Sequence, residues 1–150
     1  MRAKQIYEFT RGGDPLDTLD IEYADKIRKF FDNLGIDRDN YIIRNKQIIT
    51  QGNLNLGERL NLVKLPDNLF AINLDLFGCI NLVELPNNLI IDGYLNLFGC
   101  TGLTKLPEDL QINGNGCIHV YGGTFTDGKT QKELIEWIRS SKWSKKLQID

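Results

Sequence analysis

The sequence predicts an α/β solenoid of short, parallel β-rungs, with a helical segment at its N-terminal end and a helix at its C-terminal end. Three observations carry this. Leu62-Val63-Lys64-Leu65-Pro66, Leu82-Val83-Glu84-Leu85-Pro86 and Leu103-Thr104-Lys105-Leu106-Pro107 are near copies of one another. Their prolines lie 20 and then 21 residues apart, a period that marks stacked repeats. Outside this stretch the period disappears, and apolar residues fall at helical spacing instead.

Size and composition fit one ordinary globular domain. The chain has 150 residues, 41% of them hydrophobic and 25% charged, which argues against disorder. A net charge of −2 names no partner and differs from the basic balance of a dedicated nucleic-acid binder. No apolar run is long enough to cross a membrane. Met1 to Phe9 begins basic but lacks the apolar centre of a secretory signal. The 3 cysteines are odd in number and include no C-x-x-C pair, which suits a reducing compartment. A cytoplasmic setting is therefore expected, host cytoplasm or virion in the case of a viral protein.

Three segments are expected: an N-terminal α/β cap over residues 1–48, about four rungs over 49–124, and a C-terminal capping helix within 125–150, all in one cooperative domain. Ala3 to Thr10 can form a short helix with Ile6 and Phe9 on one face, ended by Gly12-Gly13-Asp14-Pro15. Tyr23, Ala24, Ile27, Phe30, Phe31 and Leu34 line one face of a second helix, which Gly35 stops. On its other side Glu22 to Lys26 and Asp25 to Lys29 are i,i+4 pairs. Tyr41-Ile42-Ile43 and Gln47-Ile48-Ile49-Thr50 read as short strands around Asn45-Lys46, a hairpin pattern. After the repeats, Gly122, Gly123 and Gly128 mark the exit. Thr130-Gln131-Lys132-Glu133 reads as a capping box opening a helix with Leu134, Ile135, Trp137 and Ile138 inward.

The repeats align as Ile49 to Leu69, Phe70 to Leu89, Ile90 to Leu110, and a degenerate fourth from Gln111 to about Thr124. The third copy reads Leu95-x-Leu97-x-x-Cys100-x-x-Leu103-x-x-Leu106-Pro107, and the second matches it with Leu74, Leu76, Cys79, Leu82, Leu85 and Pro86. This pattern resembles a leucine-rich repeat with Cys in the slot often held by Asn. Its short period and Leu-Pro-x-x-Leu ends resemble repeats of bacterial effectors and bacteriophage proteins. The first copy departs from it, with Gly57-Glu58-Arg59 in place of Phe-Gly-Cys, and the fourth puts Gly123 in the Cys slot. Both look like end repeats. A lone repeat cannot fold. It buries about five aliphatics at roughly 1.5–3 kcal/mol each, against about twenty residues to order at roughly 1–2 kcal/mol apiece. Stacking supplies the shared core and the hydrogen bonds between rungs.

Strand alternation sorts the faces. With Leu54/Leu56, Leu74/Leu76, Leu95/Leu97 and Ile118/Val120 inward, three columns point outward. They are Asn53, Asn73, Tyr94 and Cys117; Asn55, Asp75, Asn96 and His119; and Gly57, Phe77, Phe98 and Tyr121. The last is an aromatic ladder. Beside the Asn/Asp column it makes a plausible binding strip; the rings can equally stack on one another and shield the sheet. Four rungs about 4.8 Å apart span under about 20 Å. Such a strip falls short of the roughly 800 Å² per partner of a standard interface, so it suits a short peptide. Lys64, Glu84 and Lys105 share one slot, alternate in sign and are read as support for the register.

Catalytic and metal signatures are sparse. Cys79 and Cys100 share an inward slot and are read as buried thiols whose parallel directions disfavour a bridge. His119 is the only histidine, and no cysteine pair has zinc-finger spacing, so no metal or cofactor is expected. A Cys117–His119 dyad is geometrically possible but has no evident orienting carboxylate. Gly114-Asn115-Gly116 lacks the rest of a nucleotide loop, and Asp37-Arg38-Asp39-Asn40 lacks the rest of a calcium loop. Effector repeats of this style precede a separate catalytic domain, for which the chain ends too soon. Lys142-Trp143-Ser144-Lys145-Lys146 is the most basic stretch and reads as a solvated helix end rather than a grip on nucleic acid.

The expectation is thus a non-enzymatic module that binds another protein or peptide through Asn73, Asp75, Phe77, Tyr94, Asn96, Phe98, His119 and Tyr121. The repeat style suggests a viral or microbial protein acting on a host partner. The alternative is a self-associating or structural component of a larger assembly, such as a phage particle, with contacts made by the ends and a homo-oligomer as one outcome.

Overall fold

The computed structural model describes residues 18–150. The helix expected over Ala3 to Thr10 lies outside them. The first described helix, α1, spans Thr18–Asn33. It buries Ala24, Ile27, Phe31 and the following Leu34. Gly35 ends it at φ +68°. Its N–H donates to Asp32 O and that of Ile36 to Phe31 O, both at 3.0 Å, so a Schellman motif satisfies two of the last carbonyls. On the solvent side Asp25 pairs with Arg28 at 2.9 Å, one residue nearer than the expected Lys29.

The hairpin forms as the sequence indicates. Strand β1 (Tyr41–Arg44) pairs antiparallel with β2 (Gln47–Thr50). Asn45 and Lys46 sit at φ 48° and 60°, the two-residue turn whose twist matches the strands.

Beyond the hairpin every pairing between the named strands is parallel. The strands are β3 (Asn53–Asn55), β4 (Leu69–Ala71), β5 (Asn73–Asp75), β6 (Ile90–Ile91), β7 (Tyr94–Asn96), β8 (Gln111–Ile112), β9 (Cys117–Val120) and, after helix α2 (Lys132–Arg139), β10 (Leu147–Ile149). They make two sheets, ordered β1-β2-β4-β6-β8 and β10-β9-β7-β5-β3. The chain winds as a β-solenoid in which three turns carry it from β3 to β9. β4, β6 and β8 are not expected as strands from the sequence, although each lies where an aligned repeat begins. These three strands are two or three residues long, too short for alternation to show.

The inward positions are as alternation requires: Leu54, Leu56, Leu74, Leu76, Leu95, Leu97, Ile118 and Val120 are all buried, as are the leucines of the Leu-Pro copies. The cysteine slot has its own chemistry. Cys79 Sγ donates to Leu56 O and Cys100 Sγ to Leu76 O, each at 3.1 Å, so each thiol satisfies a carbonyl of the rung before it. Burial pushes the Cys79 thiol up and takes that of Cys100 to about 12. All three cysteines are free. Along the edge, Lys64 Nζ meets Glu84 Oε1 at 2.8 Å, an exposed pair in the slot read as register support.

The end of the chain corrects two expectations. The capping box does not form. Gln131 occupies the N-cap position of α2 without a side-chain capping bond, because its side chain turns into the protein and is 2% exposed. Leu134, Ile135 and Ile138 are buried, whereas Trp137 is half-buried and stacks on Trp143 at 5.8 Å. The basic stretch is not simply a solvated helix end. Lys142 Nζ donates to Glu108 O at 2.7 Å and Lys146 Nζ to Gly114 O at 3.0 Å, tying it to the repeats. It then leads into β10, which lies parallel to β9 with Leu147 opposite Ile118. Among the described residues no helix is long and apolar enough to cross a membrane.

Candidate functional site

The outer face of the sheet β10-β9-β7-β5-β3 carries the three outward columns, in register. Asn53 faces Asn73, Asn55 faces Asp75, Tyr94 faces Cys117 and Asn96 faces His119 across neighbouring strands. A cleft of about 280 Å³ opens there, lined by Asp75, Phe77, Tyr94, Asn96, Phe98, His119 and Asp150. Six of the eight residues expected from the sequence therefore meet in one place. Asn73 and Tyr121 lie beside the cleft, and Asp150 was not anticipated.

The Asn/Asp column is largely structural. Asn55, Asp75 and Asn96 each accept, through Oδ1, the main-chain N–H two residues on, from Gly57, Phe77 and Phe98 at 3.0, 2.9 and 3.0 Å. These Asx turns end each strand in the same way. Asp75 Oδ1 also accepts from Asn96 Nδ2 at 3.1 Å. In the first column Asn73 Oδ1 accepts from Tyr94 N at 2.8 Å, while its Nδ2 donates to Asn53 Oδ1 at 2.7 Å. These residues hold the register and set the shape of the cleft floor.

The aromatic ladder forms and is longer than expected. Phe77 stacks on Phe98 at 5.3 Å between centroids, and Phe98 meets Tyr121 at 4.8 Å. Phe125, from the exit segment, adds contacts at 5.8 Å to Phe98 and 5.0 Å to Tyr121. The rings stack as one reading of the ladder had it, and Phe77 at the open end remains 40% exposed. Phe125 lay outside the aligned columns, so the period could not reveal it.

His119 stands where the other rungs have an Asx residue, and here the arrangement changes. With no Asx acceptor, the Tyr121 N–H bonds instead to Gln131 Oε1 at 2.9 Å. The same oxygen accepts from Gly99 N at 3.2 Å, and Gln131 Nε2 donates to Leu97 O at 2.6 Å. Freed from the turn, the imidazole places Nε2 3.3 Å from Cys117 Sγ and Nδ1 3.6 Å from Asp150 Oδ2. The Tyr94 ring meets it edge-on at 6.2 Å. The carboxylate missing from the sequence reading of Cys117 and His119 is therefore supplied by Asp150, the residue that follows β10, a strand of three residues that no periodicity marks.

Among the described residues, larger grooves of about 530 Å³ and about 420 Å³ lie beside α1 and beside Trp137 and Trp143. Neither collects the outward repeat positions. No group of His, Cys, Asp and Glu suited to a metal ion occurs among the described residues. No protein-family model, curated protein or solved structure matched this chain.

Proposed function

We propose that this is a non-enzymatic protein-interaction module of the short leucine-rich-repeat type, with α1 and α2 as caps, that takes an extended peptide along the outer face of the β3-to-β10 sheet. The observation that carries the reading is the make-up of the cleft. Rings of Phe77, Tyr94 and Phe98 adjoin the carboxylates of Asp75 and Asp150, and among the described residues no Lys or Arg lines it. Such a surface suits a peptide bearing an Arg or Lys side chain, whose cation lies over the rings and near the carboxylates. The small area fits a short segment held weakly rather than a broad interface. A cytoplasmic setting, host or virion for a viral protein, accords with the free thiols.

Selection from a displayed library of random peptides tests this. Enriched sequences should carry a basic residue flanked by apolar ones, and their affinity should fall about tenfold in Phe77→Ser and in Asp150→Asn. Enrichment of acidic or featureless sequences, or equal binding by both variants, defeats the proposal.

Self-association within a larger assembly is the second reading. It is favoured by Val63 and Val83, which are 51% and 56% exposed and adjacent through the Val83 N to Val63 O hydrogen bond of 3.3 Å. Light scattering that shows a monomer at every concentration rules out a homo-oligomer.

A further inference from the structure

The one histidine of this chain touches the one cysteine that is not fully buried. Cys79 and Cys100 are held in the core, their thiols donating to carbonyls. Cys117 is half-buried on the outer face and lies two residues from His119 on β9, so both side chains leave the sheet on the same side. We propose that Cys117 is a nucleophilic thiol that exchanges with a small-molecule disulfide, with His119 as its proton acceptor and Asp150 as the group that holds the resulting imidazolium.

Three observations support this. The first is the order of groups: thiol, imidazole nitrogen at 3.3 Å, and on the opposite ring nitrogen a carboxylate at 3.6 Å. This is the nucleophile, base and orienting group that activated thiols require. At 3.6 Å the Asp150 contact is one of charge rather than a hydrogen bond.

The second is that Asp150 is placed by main chain on both sides. Its N–H donates to Val120 O at 3.0 Å, and its main-chain oxygen accepts from Gly122 N at 2.9 Å.

The third is that His119 occupies a slot that Asn55, Asp75 and Asn96 use to close the strand. Its imidazole is relieved of that duty only because Gln131 performs it.

The step balances as follows. The Cys117 thiol proton passes to His119 Nε2, and the thiolate attacks one sulfur of R–S–S–R. The new Cys117–S–S–R bond forms as the old disulfide breaks. The departing RS⁻ takes the proton from His119, and the small disulfide is the oxidant, reduced to one RSH. This chemistry is stoichiometric and stands independently of peptide binding.

Incubating the full chain with glutathione disulfide, followed by peptide mass mapping, tests the proposal. A single adduct on Cys117 is expected, released by dithiothreitol. It should form about fivefold faster than at the same cysteine in the urea-unfolded chain. His119→Gln should slow it about fivefold and Asp150→Asn about twofold, while Cys117→Ser should take up none. If His119→Gln proves misfolded by circular dichroism, Asp150→Asn decides the matter, since its side chain is solvent-facing and its main-chain bonds remain. An adduct on Cys79 or Cys100, a folded rate no higher than the unfolded one, or an unchanged rate in the properly folded variants would overturn the proposal.

Discussion

Gln131 Nε2 donates to Leu97 O at 2.6 Å, in the place where the other rungs use a cysteine thiol. Leu56 O is satisfied by Cys79, and Leu76 O by Cys100. The next thiol in the series would come from position 123, which is glycine. Gln131 also supplies the two bonds that the fourth rung lacks. Its Oε1 accepts from Tyr121 N, as Asx oxygens do elsewhere, and from Gly99 N, whose counterpart Gly78 N donates to Phe98 O of the following rung. One amide thus completes three interrupted patterns at the end of the stack.

Replacing that amide should be among the most damaging single changes in the chain. Gln131→Ala leaves Leu97 O, Gly99 N and Tyr121 N without these partners in a site that is 2% exposed at Gln131. With roughly 1–3 kcal/mol for each buried group left unpaired, and partial repair by water, a loss of about 3 kcal/mol is expected. Urea unfolding followed by circular dichroism measures it. A loss below about 1 kcal/mol would mean that the three groups find other partners.

The third position of the Phe-Gly-Cys segment carries a thiol for a stated reason, while the second is a matter of backbone shape. Gly78 and Gly99 lie at φ +69° and +83°, and Glu58 takes the same slot at φ +60°. A left-handed conformation costs a residue with a Cβ about 1–2 kcal/mol. Glu58→Gly should therefore stabilise the protein by up to about 1 kcal/mol, the gain reduced by the freer unfolded chain. Gly99→Ala should do the opposite and by more, since its Cβ would also lie 3.1 Å from the Gly78 main chain. Paired thermal melts of the two variants give the signs directly. A stabilised Gly99→Ala would refute the reading.

Burial of the cysteine slot also sets a pH dependence. The Cys100 thiol is raised from an ordinary value of 9.0 to about 12, chiefly by desolvation. A group whose folded value is raised contributes its full stability below the unfolded value and loses it as pH climbs toward the folded one. Stability should therefore hold below about pH 9 and fall between about pH 9 and 12. At pH 10 the loss assignable to Cys100 is on the order of 1 kcal/mol. Cys79 is shifted in the same direction and adds to the slope. Urea midpoints at pH 8 and pH 10, for wild type and Cys100→Ala, isolate the effect, because lysines and tyrosines titrate in both. Equal slopes for the two proteins would show that the thiol is not responsible.

What the sequence revealed and what it hid divide along physical lines. The repeat period located β3, β5, β7 and β9 and their buried leucines, because alternation and a 20–21-residue spacing act together over many positions. It also brought six cleft residues into one column set. It missed the sheet of β4, β6 and β8, where two or three residues cannot display a period. It missed Asp150, whose place depends on β10 crossing back beside β9. It misread the start of α2, since Thr130 to Glu133 has the letters of a capping box while the Gln131 amide is drawn inward to main-chain groups 10 to 34 residues away in sequence. Local motifs were legible; demands set by the far end of a stack were not.

The aromatic ladder yields the sharpest contrast between neighbouring rings. Phe98 is surrounded, meeting Phe77, Tyr121 and Phe125 at centroid distances of 5.3, 4.8 and 5.8 Å. Among the described residues Phe77 has one ring neighbour, and it is 40% exposed. Each aromatic pair is worth about 0.5–1.5 kcal/mol beyond area burial. Phe98→Ala should thus cost about 3 kcal/mol and Phe77→Ala only about 1 kcal/mol. For ligand binding the order should reverse in usefulness: Phe77→Ala leaves a folded protein whose loss of affinity reports on the cleft itself, whereas Phe98→Ala mixes folding with binding. Urea midpoints for both variants, measured beside their affinities for a selected basic peptide, separate the two roles. Equal destabilisation by the two substitutions would show that the ladder's stability is shared evenly along its length rather than concentrated at Phe98.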